Sequence, residues 1–116
     1  MNHETSSSTA RQSPLSHMVF FKLHDRTWPA IESLLASCKR YLKDHPGVTL
    51  FQVGTLVSDL DREVNDLAWD VSLQVTFASR ADHDRYQTAP DHLTFIEENK
   101  ATWASVRVFD ATLESD

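Results

Sequence analysis

The run Ser16 to His24 reads SHMVFFKLH and is dense in aromatic and β-branched residues before it stops at Asp25-Arg26, which predicts a first strand. Side chains alternate across a strand, so Val19, Phe21 and Leu23 share one side while Met18 and Phe20 share the other. Both sides are apolar, and both must be covered. The segment Val48 to Val57 poses the same demand, with Leu50 and Leu56 opposed by Phe51 and Val53. Helices from the same chain can cover one face only, and an exposed patch of Phe and Val on the other marks an interface. The pattern predicts a homodimer that stacks two sheets into a barrel, burying on the order of 800 Å² or more per partner. The alternative is a monomer whose surplus apolar residues line an internal ligand cavity.

The remaining elements follow from their own periodicities. Thr27 as N-cap and Pro29 in the first turn open a helix whose stripe is Ile31, Leu34, Leu35, Cys38, Tyr41 and Leu42, stopped at His45-Pro46-Gly47. An acidic loop, SDLDREVND, follows the second strand. From Leu67 to Phe77 apolar and polar residues alternate strictly, which predicts a strand with one buried face. Ser79 caps a short helix, with Asp82 three residues on and Tyr86 at its end. Pro90 opens another, with Leu93, Phe95 and Ile96 as its apolar members, and a last strand spans about Trp103 to Thr112. The order β-α-β-β-α-β is that of an α+β, ferredoxin-like fold: a four-stranded antiparallel sheet with helices on one face.

A chain of 116 residues has the size of one domain, burying roughly 60 to 70% of its unfolded surface. The domain is expected over 16–113. Residues 1–15, rich in Ser and Thr and almost without apolar groups, are expected to be a disordered tail. The apolar run Met18 to Phe21 is too short and too late for a secretory signal, and no stretch reaches the roughly 20 apolar residues of a membrane span. A cytoplasmic location is the expectation. Eleven basic against seventeen acidic residues, a net charge of -6, argue against nucleic acid and anionic membrane as partners. One Cys and two Gly leave no disulfide framework and little material for phosphate-binding loops.

Three segments carry a likeness beyond topology: His17-Met18-Val19-Phe20-Phe21-Lys22-Leu23, the turn Pro46-Gly47-Val48, and Phe77-Ala78-Ser79 through Tyr86-Gln87-Thr88-Ala89-Pro90-Asp91-His92. Over about residues 16 to 112 the chain resembles the stress-responsive dimeric α+β barrel (Dabb) family. The family signature after the third strand is Tyr, two variable residues, then His-Pro-x-His. Tyr86, Pro90 and His92 match it, and Ala89 stands where the first His would be. The resemblance implies a ferredoxin-like fold dimerised through its sheets. Family members share no single reaction, and plant members include stress-induced proteins and a cofactor-free polyketide cyclase. The cyclase's catalytic Tyr and His would fall on Tyr86 and His92.

His92 lies near the start of the helix opened by Pro90, where the positive dipole end favours a neutral imidazole that accepts a proton. Tyr86 would donate its phenolic hydrogen to oxygen charge developing in an aldol-type ring closure. In a purely structural reading, His92 bonds a backbone carbonyl and Tyr86 packs on the sheet. Substrate contacts are expected from His17, which the family likeness also includes, and from Phe21 and Trp69. No metal is expected: His17, His24, His45, His83 and His92 lack the spacings of zinc sites, and Asp59, Asp61 and Glu63 lack the Gly and distal Glu of a calcium loop. Cys38 reads as core. No cofactor is expected. Two function classes stay open: a cofactor-free enzyme, cyclase-, isomerase- or monooxygenase-like, acting on a small hydrophobic carbonyl or phenolic compound in the barrel cavity, and a non-catalytic binding or stress-protective dimer whose barrel holds an apolar ligand or only provides a stable assembly. Tyr86 and His92 lining one apolar cavity of about 300 Å³ or more would favour the first.

Overall fold

A computed structural model describes residues 13–114. Its order is β1 (Leu15–Leu23), α1 (Trp28–Leu42), β2 (Val48–Thr55), β3 (Val71–Phe77), α2 (Arg80–Gln87), α3 (Pro90–Asn99) and β4 (Trp103–Thr112), with a 3-10 turn at Lys100–Thr102 before β4. The strands form one antiparallel sheet ordered β2-β3-β1-β4. This is the expected α+β, ferredoxin-like arrangement. β1 is interior, bonded to β3 on one edge and β4 on the other, so both its edges are engaged.

Val19, Phe21 and Leu23 of β1 join Val71, Leu73, Val75 and Phe77 of β3 beneath Leu34, Cys38 and Leu42 of α1, Tyr86 of α2 and Phe95 of α3. Burial pushes the Cys38 thiol up to about 12, consistent with a small core residue rather than a nucleophile. The opposite face of the sheet carries Met18 and Phe20, half-buried, beside Trp69 and Phe109, whose rings stand 5.1 and 5.9 Å from Phe20.

The expected boundaries shift in four places. The tail expected over 1–15 lies outside the described residues up to residue 12, and Leu15, at 8% exposure, already belongs to β1. β2 ends at Thr55 rather than Val57. β3 begins at Val71 rather than Leu67, although the alternation extends back to Leu67. The backbone turns there because Asp66 binds it from both sides: its carboxylate accepts from the Ala68 amide and its carbonyl from the Trp69 indole, both at 2.8 Å. Asp70 is then buried, accepting from the Leu23 amide at 2.9 Å and pairing with Arg26 at 2.9 Å. Finally, Leu93 is 53% exposed, and the inward positions of α3 are His92, Phe95 and Asn99. Asn99 is accommodated by donating to the Ser37 hydroxyl and the Phe95 carbonyl, both at 2.8 Å.

The helix starts behave as their sequences suggest, with one difference. Ser79 accepts from the Asp82 amide at 3.2 Å, the expected cap. Thr27 occupies the N-cap of α1 without a side-chain bond, and Asp25 instead accepts from the Thr27 amide at 3.0 Å. Gly47 at the α1–β2 turn has φ +86°, and a Cβ there would meet the Asp82 side chain well inside contact distance. Gly47→Ala is therefore expected to lower stability by about 1 to 3 kcal/mol, read as a reduced denaturant midpoint at unchanged slope.

Candidate functional site

α1, α2 and α3 cover β3 and β1 but leave the helix-facing side of β4 open, where Val106 and Val108 remain 38% and 50% exposed. The gap is a cavity of about 340 Å³, and its walls include Val19, Phe21, Phe95, Ile96 and Trp103. Its polar groups are His17 from β1, His83 and Tyr86 from α2, His92 from α3 and Asp110 from β4.

Tyr86 stands at the centre of this group. Its ring lies 4.6 Å from that of His92, 5.0 Å from His45 and 6.1 Å from His17. The Tyr86 hydroxyl, His92 Nδ1 and the Trp103 indole nitrogen are buried and have no hydrogen-bond partner among the described residues. Each such atom costs about 1 to 3 kcal/mol if nothing meets it. All three belong to side chains that line the one cavity.

The electrostatics keep both members of the pair neutral. Burial holds His92 down at about 4, helped by the neighbouring His17, His45 and His83 and opposed by the Gln87 backbone. The neutral imidazole expected from the helix start is thus present, and burial is its largest cause. Burial likewise raises Tyr86 well above the usual phenol range, so its hydroxyl is a donor at neutral pH. On the rim, His17 Nδ1 lies 2.6 Å from Asp110 Oδ1, a pairing set by the β1–β4 register that puts His17 opposite Asp110.

The structure brings four of the five expected site residues together: His92, Tyr86, His17 and Phe21 share the cavity. Trp69 does not. It lies on the other face of the sheet, in a separate recess of about 290 Å³ with Phe20, Arg107 and Phe109, because the turn at Asp66 carries it out of the β3 register. Sequence reasoning did not single out Asp110 or His83 for this cavity, and left Trp103 open between cavity wall and core. His83 precedes Tyr86 by three positions and therefore lies on the same helix face, a signal that was available. The His17–Asp110 pairing depends on strand register and had no local signal.

A ferredoxin-like α+β sheet with a polar-ended cavity beneath its helices defines the class of protein. The family model for the stress responsive A/B barrel domain matches residues 15–113, and the chain belongs to that family, Dabb. No curated protein matches the chain. Among solved structures, a Dabb family protein with a ferredoxin-like fold from Mesorhizobium loti is 22% identical, with TM-score 0.74 over 90% of this chain and 100% of that one. A dimeric ferredoxin-like protein of unknown function from Thermobifida fusca is 15% identical, with TM-score 0.72 over 89% and 93%. A hydroxynitrile lyase from Passiflora edulis is 20% identical, with TM-score 0.72 over 90% and 97%. These likenesses establish the shared fold. Among the described residues no helix is long and apolar enough to cross a membrane.

The depressed His92 value fixes a pH dependence. Above about 6.5 the ring is neutral in both folded and unfolded chains, so it contributes nothing to the pH dependence there. As pH falls from about 6.5 towards 4 the unfolded chain takes up a proton that the folded chain resists, and stability declines. Urea midpoints measured across this window should fall with pH, and His92→Gln should shallow that slope.

Proposed function

We propose that this protein is a homodimeric barrel that binds a small hydrophobic carbonyl compound in the cavity beneath its helices and promotes proton transfer on it with Tyr86 and His92. The observation that carries this reading is the pair of buried, unpartnered polar atoms, the Tyr86 hydroxyl and His92 Nδ1, on side chains lining one cavity of about 340 Å³. An apolar pocket with a few convergent polar groups is the usual form of a small-molecule site. Tyr86 would donate to the substrate oxygen as charge builds on it, and neutral His92 would accept the proton removed from the adjacent carbon. An intramolecular aldol-type closure of a polyketide-like chain fits these two roles and calls for no cofactor. His17 would polarise a second oxygen while Phe21 packs the apolar part. A cytoplasmic setting suits the single thiol, Cys38.

The non-catalytic reading draws on the Gln87 backbone, which hydrogen-bonds the His92 ring, but it leaves the Tyr86 hydroxyl and His92 Nδ1 without a partner among the described residues, and that favours a bound ligand. The enzyme reading is tested by screening the purified protein for thermal shift against hydrophobic carbonyl and polyketide-like compounds, then following turnover of those that stabilise it. Tyr86→Phe and His92→Gln are each expected to cut turnover by about 10² to 10⁴ while leaving the melting temperature within a few degrees. Turnover unchanged in both variants would sink it.

Dimerisation through the open face rests on Met18, Phe20, Trp69 and Phe109, with Val19 and Phe21 already covered by the helices. The Thermobifida fusca neighbour is described as dimeric. Sedimentation equilibrium at micromolar concentration should return twice the chain mass. Phe109→Asp, which places a charge in the middle of that face, should return the monomer.

A further inference from the structure

His17 of β1, His83 of α2 and Asp110 of β4 meet at the polar end of the cavity, although they lie far apart in the sequence. One ligand atom of each, an imidazole nitrogen or a carboxylate oxygen, lies within 4.8 Å of the other two. We propose that these three side chains form a binding site for a divalent cation of the zinc(II) type. The inference stands independently of the acid–base chemistry assigned to Tyr86 and His92.

The donor set is the first argument. Two imidazoles and one carboxylate suit borderline first-row cations and suit magnesium or calcium poorly, since those prefer all-oxygen shells. The second argument is how His83 is held. Its Nδ1 lies 2.9 Å from Asp84 Oδ1, which makes Nε2 its ligating atom once the long 3.4 Å contact of Nε2 with Gln87 Nε2 is given up. A carboxylate bonded to the far nitrogen is the usual support of a metal-bound histidine, because it fixes the tautomer and raises the basicity of the ligating nitrogen. The third is reach. Bonds of about 2.0 to 2.2 Å require the ligand atoms to draw in from their present spread. Asp110, whose side chain is 43% exposed, can do so by side-chain rotation, the cation replacing the proton it shares with His17 Nδ1 at 2.6 Å.

Three protein ligands leave a fourth position open, and all three residues line the cavity, so the open position would face its interior. A bound oxygen or thiolate of a cavity ligand is what such a position takes. The spacing rules applied to the sequence do not reveal this set, because its ligands come from three elements that only the sheet register and the α2 packing bring together.

The test is calorimetric titration of the metal-free full chain with zinc chloride, with cobalt(II) absorption as a second readout. The expected result is one saturable site per chain and, for cobalt, intense visible bands of a four- or five-coordinate ion. Asp84→Asn should weaken binding about 10-fold, as loss of an outer-shell partner does, and His83→Ala and Asp110→Asn should each weaken it by about 100-fold or more. His3→Ala and His24→Ala should leave it unchanged. Asp110→Asn keeps the size of a half-exposed side chain, so it reports even if His83→Ala perturbs α2. Failure of the wild-type chain to bind zinc saturably would overturn the proposal, as would binding undiminished in both His83→Ala and Asp110→Asn. Since no turnover is measured, the result is separate from the fate of the enzyme reading.

Discussion

The interior position of β1 is the constraint on which the rest of the molecule depends. A strand apolar on both faces and bonded along both edges has no solvent-compatible orientation, so helices must cover one face. Leu34, Cys38, Leu42, Tyr86 and Phe95 do this, closing a core over Val19, Phe21 and Leu23. Because β1 is also the strand that carries His17, the same pairing with β4 that stabilises the sheet sets His17 against Asp110. Scaffold and site share one register.

The cavity exists because the helices cover the sheet unevenly. α1 lies over β2 and β3, whereas β4 runs beyond the helical layer and keeps Val106 and Val108 partly exposed. Placing Tyr86 and His92 in that gap has an electrostatic consequence. Removal from water penalises the charged form of each, so the imidazole stays unprotonated and the phenol stays protonated around neutrality. A neutral acceptor and a neutral donor thus lie side by side at the cavity, with no buried charge at rest. Deep burial thereby keeps an ordinary Tyr protonated and an ordinary His unprotonated.

Much of the fold was legible in the residues. The two-sided run at β1 and the stripe of α1 led to the correct element order, as did the Ser79 cap, and β4 spans Trp103–Thr112 as expected. Where local pattern misled, a specific interaction had overridden it. The alternation from Leu67 continues into a turn because Asp66 bonds the backbone ahead of it, and Trp69 ends on the opposite face from the cavity. In α3 hydrophobicity pointed to Leu93, yet the inward positions include His92, which lines the cavity, and Asn99, which finds partners in Ser37 and Phe95. The site was half legible: Tyr86 and His92 are six positions apart at a recognisable helix junction, while Asp110 and Trp103 come from the far end of the chain.

The sequence by itself determined the class of fold, the strand that is apolar on both faces, and the short segment that carries the Tyr and His, because periodicity and capping act over a few residues and leave a local trace. Only the tertiary structure decided which polar side chains share an enclosure. Strand register and helix packing join residues far apart in the sequence, His17 with Asp110 and Tyr86 with His45, and no local pattern encodes those distances. It also decided that His92 and Tyr86 are neutral, since that follows from burial, a property of the folded whole.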